Sequence, residues 1–478
     1  MARDLSYEAV MGRRGEIMKR SLGIEYDEFI QTKIAFDYED MMRKAGYSLE
    51  EVRRIQGETA VGSTPLLELK NITRLVRQSS PRGYGARILI KDEAANPSGS
   101  FKDRRASVSV YHAAKKGYPG VLAATSGNYG AAVASQAAMR NLRCIIVQEV
   151  FDSRGVGQPE IVEKSRKCEA YGAEVVRLSV GPELFYLALI LLEETGFFNA
   201  SLYSPFGISG VETLGYELVQ QVREKYGREP SSIVVTHAGG GNVTGTARGA
   251  FQAGAEDTPI IGVSVDLSGL HMASDIDFNK KSFTTGHTGF GVPFATWPDR
   301  TDVPKNAARP LRYMDRYVTV TQGEVFYVTE VLSQLEGLER GPAGNTSLAA
   351  AIPLARELPE DEIIVVQETE YTGAGKHPQA QLGFASNNGI TVKRGDPREN
   401  VPGKSIVIPE HFTQLGIVEM DLRRMRRSYI RNAVEKNGVD EITGEELQFL
   451  AAETRETEAF VTSILKEMGG IKISGSNF

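Results

Sequence analysis

From about Gly62 onward the chain repeats one pattern, a short, continuously apolar, β-branched run followed by an Ala-rich stretch of helix length. The runs are Arg87–Lys91, Gly120–Ala124, Arg143–Val147, Glu174–Leu178, Ile233–Thr236, Ile260–Val265, Tyr317–Val320 and Ile363–Gln367. Strands without polar alternation are buried on both faces, so the pattern predicts an α/β fold, a mostly parallel sheet with helices on either side. In such sheets ligands gather beyond the carboxyl ends of the strands. The residues that follow each run are therefore the ones to read for chemistry.

The rest of the chain sets bounds. Its 478 residues supply material for more than one sizeable core. The stretch 1–60 has the texture of polar, amphipathic helix, with a capping box at Ser48-Leu49-Glu50-Glu51. Residues 61–400 read as the core, with about 101–215 a smaller α/β subdomain inserted in the larger one, and 401–478 return to charged, helical texture. The longest apolar run, Leu184–Leu192, has nine residues, under half of the roughly 20 that a membrane-spanning helix needs, so no membrane association is expected. A net charge of −6 gives no general attraction for nucleic acid or anionic lipid, which leaves small molecules and proteins as partners. Only Cys144 and Cys168 occur, with no disulfide framework and no thiolate metal spacing, so no metal is expected. The charged N-terminus lacks the apolar stretch of a secretory leader, and a cytoplasmic location is expected.

Three loops stand out. After Lys91 comes Asn96-Pro97-Ser98-Gly99-Ser100-Phe101-Lys102-Asp103-Arg104. Lys102 reads either as a solvated lysine or as a reactive amine: small residues clear its approach, and a helix N-terminus lowers an amine's pKa, which suits Schiff-base chemistry. Asn128, in the turn Ser126-Gly127-Asn128-Tyr129-Gly130, reads as an N-cap or as an amide that bonds a ring hydroxyl or a substrate carboxylate. The segment Gly239-Gly240-Gly241-Asn242-Val243-Thr244-Gly245 lies between a strand and a helix, where several backbone N–H groups can face one anion; a plain tight turn is the alternative. Its spacing misses the dinucleotide fingerprint by one residue, and Gly375-Lys376 lacks the rest of a P-loop, so a single phosphate ester is the anion expected.

Taken together, the loops supply complementary parts of one site: an imine-forming lysine, a ring-hydroxyl partner and a phosphate cradle. Here the sequence resembles the pyridoxal-phosphate fold type II family, which includes threonine synthase, serine/threonine dehydratases and cysteine synthase. Asn96–Arg104 is similar to the family's Schiff-base signature, Ser126-Gly127-Asn128 to its asparagine loop, Gly62-Ser63-Thr64-Pro65-Leu66 to its opening motif, and Tyr171-Gly172-Ala173-Glu174-Val175 to its small-domain strand. The likeness spans about Gly62 to Gly375. It implies a tryptophan synthase beta-like fold of two open α/β domains, with helical extensions at both ends. By resemblance, Lys102 would carry pyridoxal 5'-phosphate, Asn128 would bond the ring hydroxyl, and Gly239, Gly240, Gly241 and Asn242 would hold the phosphate. The group facing the pyridine nitrogen would be Thr369 or Thr372, a choice clouded by Glu368 and Glu370 beside them.

The terminal blocks and loops narrow the resemblance to members that cleave a 2-amino-4-oxo acid with coenzyme A as cosubstrate. Those members give acetyl-CoA and alanine in ornithine degradation and work beside a small alpha subunit. A dimer of catalytic subunits is implied as well. In that reading Lys102 takes the α-proton and neither cysteine acts as a nucleophile, because the attacking sulfur belongs to the cosubstrate. His237, His377 and Tyr129 are the acid/base candidates, each equally able to be a structural group. The basic run Arg423, Arg424, Arg426, Arg427 and Arg431 reads as a solvated helix face or an interface, with nucleotide binding as the minority alternative. The competing readings are threonine synthase or another amino-acid β/γ-elimination or replacement lyase, and, from a different class, a non-catalytic scaffold subunit.

Overall fold

The eight runs all form strands in the computed structural model, which describes residues 3–125, 127–152, 155–179, 183–267, 295–297, 303–371 and 377–474. Eleven strands build the two main sheets, ten of them before residue 370: β1 (Leu66–Glu68), β2 (Arg87–Asp92), β3 (Gly120–Thr125), β4 (Arg143–Phe151), β5 (Glu174–Ser179), β6 (Phe198–Asn199), β7 (Ser232–Thr236), β8 (Ile260–Val265), β9 (Arg316–Val320) and β10 (Ile363–Glu368). The larger sheet runs β1-β2-β10-β7-β8-β9 and ends on Val418–Glu419; the smaller runs β5-β4-β3-β6. All pairs of the smaller sheet are parallel, as are β2, β10, β7, β8 and β9, and the larger sheet's two edge strands are antiparallel.

The apolar runs behave as their lack of alternation requires. Ile233, Val235 and Val365 pack on one face of the larger sheet with the helix Pro205–Tyr226, while Val234, Ile364 and Val366 pack on the other with Pro342–Arg356. The N-terminal helices bury Val10, Ile17, Met18 and Leu22 against the small-sheet core, and the C-terminal helices bury Ile430, Leu450 and Leu465 against the large-sheet core. The capping box forms: Ser48 N donates to Glu51 Oε2 at 2.9 Å and Glu51 N to Ser48 Oγ at 3.3 Å, opening the helix Leu49–Gly57. The region beyond 400, expected as helical, also holds strand. Ser405–Pro409 pairs with Thr391–Gly395, and Val418–Glu419 caps β9. Among the described residues no helix is long and apolar enough to cross a membrane; Leu184–Leu192 lies in the helix Glu183–Thr195, packed on the small-sheet core.

One buried ionic network locks the entrance of the helix Lys102–Lys115. Arg104 meets Glu93, just past β2, with two bonds of 2.7 and 2.8 Å, and neither side chain is exposed. Thr64 Oγ1 donates to Glu93 at 2.6 Å, Arg104 also reaches Glu217 at 3.2 Å, and Lys91 pairs with Glu217 from β2. Gln56, in the N-terminal helix, donates to the carbonyls of Arg104 and Gly210 at 3.0 and 2.8 Å. The network thus joins β2, the helix Lys102–Lys115, the helix Pro205–Tyr226 and the N-terminal block.

Removing one partner of such a pair leaves a buried, uncompensated charge, so Glu93→Gln is expected to lower unfolding free energy by roughly 3–5 kcal/mol, read from the urea midpoint. Glu217 gives a pH signature. Burial by itself would raise its carboxyl, but Arg104 and Lys91 hold it down at about 2, below its ordinary 4.5. A carboxylate with a depressed folded pKa stabilises fully above the ordinary value and loses that contribution as pH falls toward the folded one. The wild-type midpoint should therefore decline between pH 4.5 and about 2, and that decline should be smaller in Glu217→Gln.

Candidate active site

A cavity of about 180 Å³ opens where the carboxyl ends of β2, β3, β7, β8 and β10 converge between the two sheets. Its walls include Lys102, Asn128, Tyr129, His237, Gly239, Gly240, Gly241, Asn242 and Thr369. The three loops singled out by the sequence thus meet in one place. Thr372 lies outside the described residues, and so does the side chain of His377, whose backbone opens the helix His377–Asn387.

Lys102 is the first residue of its helix, and the loop before it is pinned to the end of β10. Phe101 N donates to Thr369 O at 3.0 Å, Tyr371 N to Gly99 O at 2.7 Å, and Ser98 N to Asp103 Oδ2 at 2.7 Å. Gly99 has φ +77°, which a residue with a Cβ adopts at a cost. The Lys102 amine lies 4.4 Å from the Phe101 ring centroid. Its proton affinity falls well below the ordinary lysine value: burial is the main cause, the Arg105 charge adds to it, Glu370 opposes and Lys164 adds again. Lowered proton affinity frees the lone pair of an amine more readily for attack and for proton transfer.

The glycine segment forms a tight cradle. Gly240 has φ +88° and caps the helix Gly241–Gln252, whose first N–H groups have no partner within the helix. A Cβ on Gly239 would lie 1.8 Å from Tyr203 Oη, and one on Gly241 would lie 2.8 Å from both terminal nitrogens of Arg105. Asn242 is buried, and its Oδ1 has no hydrogen-bond partner among the described residues. A cradle without room for side chains, at a helix N-terminus and beside a buried cation, fits a phosphate ester.

At the end of β10, Thr369 and the two acidic residues beside it separate. Thr369 and Glu370 line the cavity, whereas Glu368 turns toward the helix Pro342–Arg356, where a Cβ on Gly344 would lie 1.7 Å from its Oε1. Burial, then the nearby Asp92 charge, raises the Glu368 carboxyl well above its ordinary value. His237 is buried, edge-on to Tyr317 with centroids 5.1 Å apart, and its backbone N–H donates to Val263 O at 2.7 Å.

Sequence reasoning missed four titratable wall residues: Arg105, Glu149, Lys164 and Tyr203. Arg105 is three positions after Lys102, a spacing that places both on one helix face and was legible once the helix start was known. Glu149 enters because β4 runs on from Val147 to Phe151. Lys164 pairs with Glu160 one turn earlier, approaches Glu370 at 4.0 Å, and keeps its charge because these carboxylates outweigh its burial. No local motif announces it.

The remaining candidates sit elsewhere. Arg423 and Arg426 reach Glu456 at 3.8 and 3.4 Å, and Arg427 and Arg431 meet Glu467, so the basic run ties the helix Leu422–Lys436 to its neighbours, away from the cavity. Cys144 and Cys168 are both buried outside the cavity wall.

Known proteins bear on the site as follows. Residues 58–370 match the profile described as pyridoxal-phosphate dependent enzyme. The chain is 78% identical over 469 residues to a 2-amino-4-ketopentanoate thiolase beta subunit of an unknown prokaryotic organism, covering 98% of this chain and 99% of that one. It is 63% identical over 470 residues to the 2-amino-4-ketopentanoate thiolase beta subunit of Acetoanaerobium sticklandii, covering 98% and 100%. Among solved structures, O-ureido-L-serine synthase shares the fold with a TM-score of 0.52 at 22% identity, over 67% of this chain and 92% of that one. With residues 58–370 matched, the chain belongs to the pyridoxal-phosphate dependent enzymes of fold type II.

Proposed function

We propose that this chain is the catalytic subunit of a thiolase that cleaves 2-amino-4-ketopentanoate with coenzyme A. The observation that carries the reading is its likeness, at 78% and 63% identity over nearly the whole length, to the two thiolase beta subunits. The C3–C4 bond of the amino-keto acid breaks, a C4–S bond forms, and the thiol proton ends on C3. The products are acetyl-CoA and alanine. The relatives' designation as beta subunits supports a small alpha partner, and a dimer of catalytic chains fits the same reading.

The residues divide the work. Lys102 is the amine that would hold pyridoxal phosphate and, once freed, accept and return the substrate's α-proton, a role that its lowered proton affinity favours. The first N–H groups of the helix Gly241–Gln252 would hold the phosphate, the Asn128 amide would bond the ring hydroxyl, and Thr369 would face the pyridine nitrogen. Bound there, the cofactor supplies an electron sink for negative charge developing beside the amino-acid nitrogen. Lys164, held as a cation in the cavity wall, offers a charge for an anionic group of the substrate. His237 and Tyr129 remain the acid/base candidates on the wall.

Two experiments test this. Borohydride treatment of the purified yellow protein should fix the chromophore on Lys102, and Lys102→Ala should lose both that label and acetyl-CoA formation from 2-amino-4-ketopentanoate and coenzyme A. Chromophore trapped on another lysine, or none at all, would refute the assignment. Burial raises both thiols, Cys168 to about 12, and neither lines the cavity, so the double variant Cys144→Ala/Cys168→Ala should keep turnover within a few-fold while losing stability. Folded protein without turnover would overturn the external-thiol scheme.

A further inference from the structure

Among the described residues, Arg105 is a cation buried without a counter-charge. Its side chain is 1% exposed, and its recorded hydrogen bond is Nη1 to Leu202 O at 3.0 Å. Nε has no partner, and no carboxylate lies within ion-pairing distance among the described residues. The guanidinium rests 5.3 Å from the Phe101 ring centroid. Burying an unpaired guanidinium is unfavourable by several kcal/mol, so such a group implies a missing anion.

Position identifies the anion. A Cβ on Gly241 would lie 2.8 Å from both Nη atoms, so the guanidinium lies against the first turn of the helix Gly241–Gln252. That turn presents unpaired N–H groups and the positive end of a 12-residue helix to the same cavity wall. Two positive features held together repel until a negative charge sits between them. Arg105 also shares a helix face with Lys102, one turn away, so an anion held by it is placed at a fixed reach from the amine.

We propose that Arg105 closes the glycine cradle from the side of the helix Lys102–Lys115 and supplies the counter-charge for the cofactor's phosphate monoester. The proposal rests on the pyridoxal-phosphate reading and adds a residue to it. A guanidinium fork donates two parallel N–H bonds to phosphate oxygens, which a backbone cradle without charge does not. With the phosphate in place, the positive charge that depresses the proton affinity of Lys102 is partly cancelled.

The test compares a ligand that has the phosphate with one that lacks it. Apoprotein is titrated with pyridoxal phosphate and with pyridoxal, followed by visible absorbance, for the wild type, Arg105→Gln and Arg105→Lys. Loss of one charged, bidentate contact should weaken pyridoxal phosphate binding roughly ten- to hundredfold in Arg105→Gln, with pyridoxal binding unchanged. Arg105→Lys should lose a few-fold, again only for the phosphorylated ligand. Inorganic phosphate should raise the melting temperature of wild-type apoprotein and not that of Arg105→Gln. Coenzyme A, which also carries phosphates, should bind wild-type and variant holoenzyme alike.

Unchanged pyridoxal phosphate affinity in Arg105→Gln, or equal weakening for both ligands, would overturn the proposal. A loss confined to coenzyme A would place Arg105 on the nucleotide instead and refute it equally. Should Arg105→Gln not fold, the Arg105→Lys titrations decide by the same criteria. Wild-type apoprotein that takes up neither ligand would bring down the cofactor reading, and this proposal with it.

Discussion

The ion pair between Glu93 and Arg104 is the constraint on which the site depends. Both groups are fully buried, one just past the end of β2 and the other in the first turn of the helix that Lys102 opens. Such a pair persists because the fork of Arg104 satisfies both carboxylate oxygens while Thr64, Glu217 and Thr213 take up the remaining capacity. The consequence is geometric. With Arg104 locked toward the network, helical periodicity turns Lys102 and Arg105 toward the cavity. The four-residue string Lys102-Asp103-Arg104-Arg105 therefore divides by direction: an amine and a guanidinium into the site, a second guanidinium into the scaffold, and a carboxyl group back onto the loop through Ser98.

The electrostatics of the cavity follow from the same arrangement. Lys102, Arg105 and Lys164 share one wall system, and each bears on the others. Lys164 keeps its proton because Glu160 and Glu370 outweigh its burial, whereas burial and then the Arg105 charge lower the proton affinity of Lys102 against the opposing Glu370. Two lysines in one cavity thus shift in opposite directions without any difference in intrinsic chemistry. The lowered one is the better suited to attack and to take a proton; the raised one is fit to bind.

Much of this was legible in the sequence because parallel α/β sheets convert chain order into spatial convergence. Reading the residues after each apolar run found Lys102, Asn128 and Gly239–Asn242 without knowledge of which strands are neighbours, and the sheet order brings them together. Contributions that do not sit at a predicted strand end stayed hidden. Lys164 lies within a helix and reaches the cavity only through packing, Glu149 needed the true length of β4, and the direction of Glu368 relative to Glu370 depends on where β10 stops. Short edge strands such as β1, β6 and Val418–Glu419 were missed because two or three residues carry no readable periodicity. The basic run near the C-terminus shows the opposite failure, a conspicuous pattern of which four members face Glu456, between the helices Gly444–Thr454 and Glu458–Met468, and Glu467 in the latter.

The two cysteines bear on how an acyl group can reach sulfur in this protein. Cys144 lies in β4 and Cys168 in the helix Pro159–Ala170, both inside the small-sheet core, and burial raises both thiols. A thiol held protonated in apolar surroundings neither attacks a ketone nor leaves readily as a thiolate. A cavity without a sulfur of its own can still pass an acetyl group to sulfur, provided the nucleophile arrives with the cosubstrate. On the proposed reading, the chain's task reduces to orienting the amino-keto acid, supplying an amine at the α-carbon, and holding the anionic ends of its ligands against buried cations. The cavity wall carries residues suited to each: Lys102 would serve the proton, the glycine cradle with Arg105 one anion, and Lys164 another.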